Sequence, residues 1–196
     1  MLDMIKGGWV MLPLMACSLI ALTIVIERFF YFRRIGNKVG VAEEVLKLVD
    51  SGRINDGLKL SNSSVLPLVK VMSAGIAHSY DPAKAMAAAG INELSVMRRG
   101  MSALDTIITM APLLGLLGTI LGMMNSFQVM AMVDSGGSPN AVTGGVAEAL
   151  IATATGITIA VLTLIPYNYF SARIERESET IEHYATELEM ALVKQD

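Results

Sequence analysis

Residues 140–173 read NAVTGGVAEALIATATGITIAVLTLIPYNYFSAR, and Glu148 is the single Asp, Glu, Lys or Arg between Asp134 and Arg173. A helix needs about 20 residues to cross a hydrocarbon core of roughly 30 Å, so this stretch is long enough to span a membrane. A carboxylate inside such a span costs on the order of 2.5–3.5 kcal/mol even on lenient insertion scales. At helical spacing its neighbours are Ala141, Gly144, Gly145, Ala152 and Thr155, all small and weakly polar. That face suits close helix packing or a wet crevice better than lipid, and it makes Glu148 a candidate protonatable group on an ion path. The alternative is that Glu148, about two turns from the helix start, snorkels to the membrane surface.

Composition agrees with a membrane protein. Hydrophobic residues make up 53% of the chain and the mean hydropathy is +0.55, against about 45–50% apolar residues in soluble domains. The apolar residues fall in three blocks, which gives an all-α integral membrane protein with three transmembrane helices. The net charge of −3 decides little. With no basic tract interleaved with aromatics, nucleic acid is not an expected partner. Cys17 is the only cysteine, which excludes an internal disulfide and a multi-cysteine metal site. No metal or cofactor is expected. An enzyme is disfavoured because HExxH, Walker A and GxSxG patterns are missing, and His78 and His183 read as surface residues.

The first block, residues 7–26, is uncharged. It continues past the length of a signal-peptide apolar region, so residues 1–32 are expected to form a retained first span with its lead-in. Pro13 marks or bends its start. Trp9 stands at one end and Phe29, Phe30, Tyr31 and Phe32 at the other, followed by Arg28, Arg33, Arg34 and Lys38 among and after them. The positive-inside rule then makes that end cytoplasmic and the N-terminus periplasmic. Residues 33–105 form a cytoplasmic helical region. One helix carries Val41, Val45, Leu48 and Val49 on one face, and Ser51-Gly52 ends it. A second is expected over residues 64–78. Asp81-Pro82 starts a third, which is expected to run unbroken to residue 133. The second span covers residues 106–133, a periplasmic loop residues 134–139, and the third span residues 140–166. Arg173 and Arg176 return the chain to the inside. A cytoplasmic helix over residues 167–196 follows a kink at Pro166, with its glutamates on a solvated face.

The second span contains APLLGLLGTILG, residues 111–122. Gly115, Gly118, Gly122 and Ala111 share a stripe along which another helix backbone can approach. Thr119 lies beside the stripe, and the third span offers Thr153 and Thr155. Thr155 is two turns from Glu148 on one face, whereas Thr153 is turned away by about 140°. Carboxylate and hydroxyls on adjoining small-residue faces support proton transfer through water. For each threonine singly, the competing reading is a local bond from its hydroxyl to the preceding turn.

The segments APLLGLLGTILGMMNSF and GGVAEALIATATGITIAV, in this order and with this layout, resemble the ExbB/TolQ branch of the MotA/TolQ/ExbB proton-channel family. In that resemblance Glu148 matches the family's intramembrane glutamate, Thr119 the polar threonine of the second helix, and Thr153 that of the third. It implies a homopentamer enclosing a pore in the bacterial inner membrane, with an ExbD/TolR-like single-span dimer inside that brings a proton-accepting aspartate. A TonB/TolA-like periplasm-spanning protein is the kind of recipient such work has. The implied function is that of a proton-channel stator subunit. A passive membrane scaffold, in which Glu148 only pairs with a partner's basic group, is the alternative from another class. A gliding-motility stator is the alternative within the family.

The charge flanks make a direct prediction on a Cys17→Ala background. A cysteine placed in the 134–139 loop reacts with an impermeant thiol reagent from the periplasmic side, and one near residue 60 does not. The reverse labelling pattern contradicts this topology.

Overall fold

The computed structural model describes residues 9–36, 39–132 and 139–194. Its helices, in chain order, are α1 (Met11–Ile35), α2 (Val39–Asp50), α3 (Ile54–Asn62), α4 (Pro67–Ala77), α5 (Pro82–Met97), α6 (Met101–Met132) and α7 (Pro139–Val193). Three stretches are long and apolar enough to cross a membrane, at Met11–Ile35, Met101–Gln128 and Thr143–Val193. Most of the expected 134–139 loop lies outside the described residues, although Pro139 already opens α7. The opening residues 1–8, and with them the lead-in to the first span, also lie outside them.

The chain divides into two compact units. The first comprises residues 1–27 and 100–168. Here the start of α1 packs Val10, Met11 and Leu14 onto Ala111 and Ala152, with Leu114 and Ile159 alongside. Pro13 falls in the first turn of α1, where a missing N–H removes no helical bond. Pro112 and Pro166 lie inside α6 and α7. Each leaves the carbonyl four residues earlier without its helical donor, a loss that spanning helices accommodate by local adjustment and neighbour contacts. The helix is not interrupted at Pro166: α7 runs for 55 residues.

The second unit comprises residues 28–99 and 169–196. The α2 helix buries Ala42, Val45 and Val49, and Gly52 at φ +78° ends the segment that follows it. Then comes α3, which the sequence reading did not separate from the polar stretch around it. Its Gly57 lets Val49 approach, since a methyl there would stand 3.2 Å from Val49 Cγ2. The α4 helix begins three residues later than expected, at Pro67, because proline fits the first helical position. Its Gly75 seats Met86 of α5. At the start of α5 the Asp81 carboxylate accepts a hydrogen bond from the Lys84 backbone N–H at 3.2 Å, the N-cap that the sequence announces. In the C-terminal part of α7, Phe170, Ile174, Ile181 and Leu188 are buried on one side, and Glu175, Glu179 and Glu182 are exposed on the other.

One expectation fails. The helix from Pro82 does not continue to residue 133, because it stops at Met97 and restarts at Met101. Gly100 takes φ +80°, a left-handed conformation that only glycine adopts without cost, and it terminates α5. The carbonyls released at the break are used by Arg28 of α1, 2% exposed. Its Nη1 donates to Val96 O at 2.9 Å and to Met97 O at 3.3 Å. Its guanidinium also lies 4.6 Å from the Tyr31 ring centre. Phe32 stacks on Phe170 at 5.5 Å, so one of the four belt aromatics is core rather than interface.

Candidate functional site on the second and third spans

The spacing of small residues on α6 decides how α7 meets it. A methyl placed on Gly118 would stand 2.6 Å from Ala152 Cβ, one on Gly122 2.7 Å from Ala149 Cβ, and one on Gly115 2.9 Å from Thr153 Cα. On Gly156 it would overlap the Ala111 carbonyl oxygen, and on Gly145 the Ser126 hydroxyl. The partners of α6 descend along α7 as the α6 numbers rise, so the two helices are antiparallel. Ala111, Gly115, Gly118 and Gly122 therefore form one wall of a seam, and Gly145, Ala149, Ala152 and Gly156 form the other. At Gly115, Gly118, Gly122 and Gly156 even an added methyl would crowd the facing helix, and Ser126 is the larger side chain that fits, against Gly145.

This seam corrects the face read from the sequence. That face was centred on Glu148 and included Gly144. The observed face is turned from Glu148 by about 70°, at 100° per residue. Gly144 is exposed with nothing within 4 Å of a methyl placed on it, so it does not pack within this chain. Ala149 and Gly156 were missed, although their spacing with Gly145 and Ala152 is the small-residue pattern already read on α6.

Glu148 consequently borders the seam instead of lying in it. It is half-buried, and among the described residues it makes no hydrogen bond or ion pair. Thr155 shares its flank, which is also the flank where Leu114 and Ile159 receive α1. Thr153 lies on the opposite flank, about 140° from Glu148. Because the helices are antiparallel, the same wheel puts Thr119 on the Thr153 flank, about one turn from it. The structure thus brings Thr119 towards Thr153 and Thr155 towards Glu148, and it does not collect all four on one face.

The hydroxyls are committed in different ways. Thr119 Oγ1 donates to Leu116 O at 2.7 Å, and Thr155 Oγ1 to Ile151 O at 2.8 Å, the local bonding that competes with any functional role. Thr153 Oγ1 instead donates across the seam to Gly115 O at 2.8 Å. Interhelical bonds of this kind contribute about 0.6 kcal/mol on average. In this arrangement each hydroxyl has used its one proton and presents only acceptor capacity. A water or acid can donate to it, but it passes a proton on only by first releasing its carbonyl. Ser126 behaves similarly, donating to Gly122 O at 2.9 Å beside Gly145.

A sequence model described as the MotA/TolQ/ExbB proton channel family matches residues 65–183. The chain belongs to this family. It is 34% identical over 190 residues to biopolymer transport protein ExbB-like 3 of Synechocystis, covering 94% of this chain and 90% of that protein. The Tol-Pal system protein TolQ of Pseudomonas aeruginosa is 42% identical over 93 residues, which is 47% of this chain and 40% of TolQ. The biopolymer transport protein ExbB of Salmonella typhimurium is 37% identical over 92 residues, again 47% of this chain and 37% of that one. The family stretch takes in α6, the seam and Glu148.

The seam yields a paired prediction for this family member. Gly118→Leu forces the two backbones apart and destabilises the protein by about 1–3 kcal/mol or more, as overpacking does. Gly144→Ala leaves stability unchanged or raises it by up to about 1 kcal/mol through helix propensity. Thermal unfolding of both variants in detergent checks this, and equal behaviour of the two contradicts the seam.

Proposed function

We propose that this protein is the channel-forming stator subunit of a proton-driven motor in a bacterial inner membrane, and that Glu148 handles the proton. The observation that carries the reading is the position of Glu148. It is a carboxyl group in an apolar span, half-buried beside a glycine seam and without a cation to neutralise it among the described residues. A permanently charged group there is expensive, and the neutral acid is not. A carboxyl in that position is therefore suited to take a proton from one side and release it to another. Membership of a family described as proton channels supports the same role.

The reading assigns Thr119 and Thr153 to one hydroxyl-bearing flank and Glu148 with Thr155 to the other. In a ring of five copies, flanks of neighbouring α6–α7 pairs face one another or a common pore. Water held there links the groups. A single-span ExbD/TolR-like dimer in the pore supplies the second titrating carboxylate, and motion of one subunit set against the other delivers work to the periplasm. The driving force is sufficient for conformational work, since one unit charge crossing 100 mV releases about 2.3 kcal/mol. The role is transport and energy coupling and not catalysis of a chemical reaction. The N-terminus is periplasmic and the C-terminus cytoplasmic.

Glu148→Gln keeps size and hydrogen bonding and removes the titration. The variant should assemble with its partner and lose proton flux into liposomes under an imposed potential, while Glu148→Asp retains part of it. Wild-type flux from an assembled Glu148→Gln complex contradicts a proton-handling role. Loss of assembly in Glu148→Gln favours the scaffold reading instead.

A further inference from the structure

Asp105 is a carboxylate to which proton handling at Glu148 gives no task. The apolar block of the sequence begins at Thr106, but the spanning helix begins at Met101 and so takes in Asp105. It stands past the first turn of α6, the part of a helix in which the dipole favours an acid. The residue is exposed, and its carboxylate has neither a hydrogen bond nor an ion pair among the described residues. Glu148 lies far from it. Ala149 faces Gly122, so the levels of Glu148 and Asp105 are about 25 Å apart at 1.5 Å per residue. That is most of a hydrocarbon core of roughly 30 Å. Glu148 alone therefore leaves a long apolar stretch between itself and the end of α6 that follows Arg98 and Arg99, which is cytoplasmic by the charge rule.

Around α6, Asp105 is turned from Thr119 by about 40°, Pro112 by about 20° and Thr109 by about 80°. All three share the flank of Thr119 and Thr153, while α1 packs on the other flank beside Leu114. Polar atoms recur along this open flank. Thr109 Oγ1 donates to the carbonyls of Asp105 and Thr106, at 3.2 and 2.9 Å, and keeps acceptor capacity. Pro112 has no N–H and releases the carbonyl of Ile108 from the helix. Thr153 stands level with Gly115, to whose carbonyl it donates, and Thr119 follows one turn on. The successive levels 105, 109, 112, 115 and 119 are about 4.5–6 Å apart. One water with two hydrogen bonds of about 2.8–3.0 Å spans such a step. Leu116 is the apolar exception on the flank.

We propose that Asp105 is a second proton-handling residue, the terminal acid of a file of waters along this flank, exchanging protons with the cytoplasm. This rests on the proton-handling reading of Glu148 and extends it. Transfer from Glu148 to the file is between copies, since one chain holds the two edges apart. The hydroxyls and the Ile108 carbonyl anchor the waters as acceptors, and the proton moves along the waters. The Asp105 carboxylate takes it from the last water by forming an O–H bond, and that bond breaks as the proton passes to bulk water.

The test measures proton flux into liposomes holding the complex with its partner, under an imposed potential. In D105N the flux should fall about tenfold or more. That is less than the roughly 100-fold or greater contribution of a positioned acid or base to a chemical step, because bulk water replaces the acid in part. D105E should keep most of the flux. On the Cys17→Ala background, D105C should be as slow as D105N. Iodoacetate restores a carboxylate there and should return most of the flux, whereas iodoacetamide adds an amide of the same size and should not. The reagents act on the finished complex, so this pair reads the carboxyl itself even where D105N assembles poorly. Wild-type flux in an assembled D105N complex, or equal recovery with both reagents, overturns the proposal, and loss of flux in Glu148→Gln then leaves the reading of Glu148 standing. Wild-type flux in Glu148→Gln overturns that reading itself.

Discussion

The structure of the membrane-spanning unit depends on the approach of two helix backbones to a distance at which mainly hydrogen and methyl side chains fit between them. In a membrane the hydrophobic effect does not pull helices together, since lipid tails are as apolar as leucine. What remains is packing, and packing between α6 and α7 is set by Gly115, Gly118 and Gly122 against Ala149, Ala152 and Gly156. The Thr153–Gly115 hydrogen bond adds a polar tie at the same level. With the seam fixed, the rotation of both helices is fixed, and so is every side chain on their flanks.

That rotation has a functional consequence. It keeps Glu148 at the rim, half-buried, where neither the seam nor any cation among the described residues neutralises it. It also separates the threonines, placing Thr119 and Thr153 on the flank opposite Glu148 and Thr155. A single chain therefore presents two unlike polar edges. Groups that one copy holds apart become neighbours only between copies or around a partner, which is why the proposed function is a property of an assembly. The hydroxyls are closed off as donors by backbone carbonyls, so any relay through them requires a change of partner and not a preformed wire.

Much of this was legible in the sequence. Three long apolar blocks, with Glu148 the single charged residue in them, announced the spans because hydrocarbon tolerates so few alternatives. The glycine stripe of α6 and the Asp81-Pro82 cap were readable because each relies on chemistry local to a few residues. The errors have a common origin in tertiary contacts. The helix from Pro82 was expected to run on unbroken, whereas Gly100 turns it and Arg28, a buried donor from 68 residues away, bonds the carbonyl of Val96 at the break. Phe32 looked like interface until Phe170 stacked on it. The α7 face was misplaced because the eye centred it on the lone carboxylate, whereas Gly145, Ala149, Ala152 and Gly156 show that the carboxylate was being kept out of the seam. The short α3 was passed over because its nine residues are largely polar, although its few apolar residues share one helical face.

The claim at the centre of this account is that Glu148 exchanges a proton while inside the membrane. Infrared difference spectroscopy of the complex reconstituted with its partner reads this directly, because a protonated carboxyl has its own carbonyl stretch. Imposing and collapsing a proton gradient should produce a carboxylic-acid difference band that is missing from the Glu148→Gln complex. A difference spectrum in which that band is the same in wild type and Glu148→Gln would show that the proton resides elsewhere.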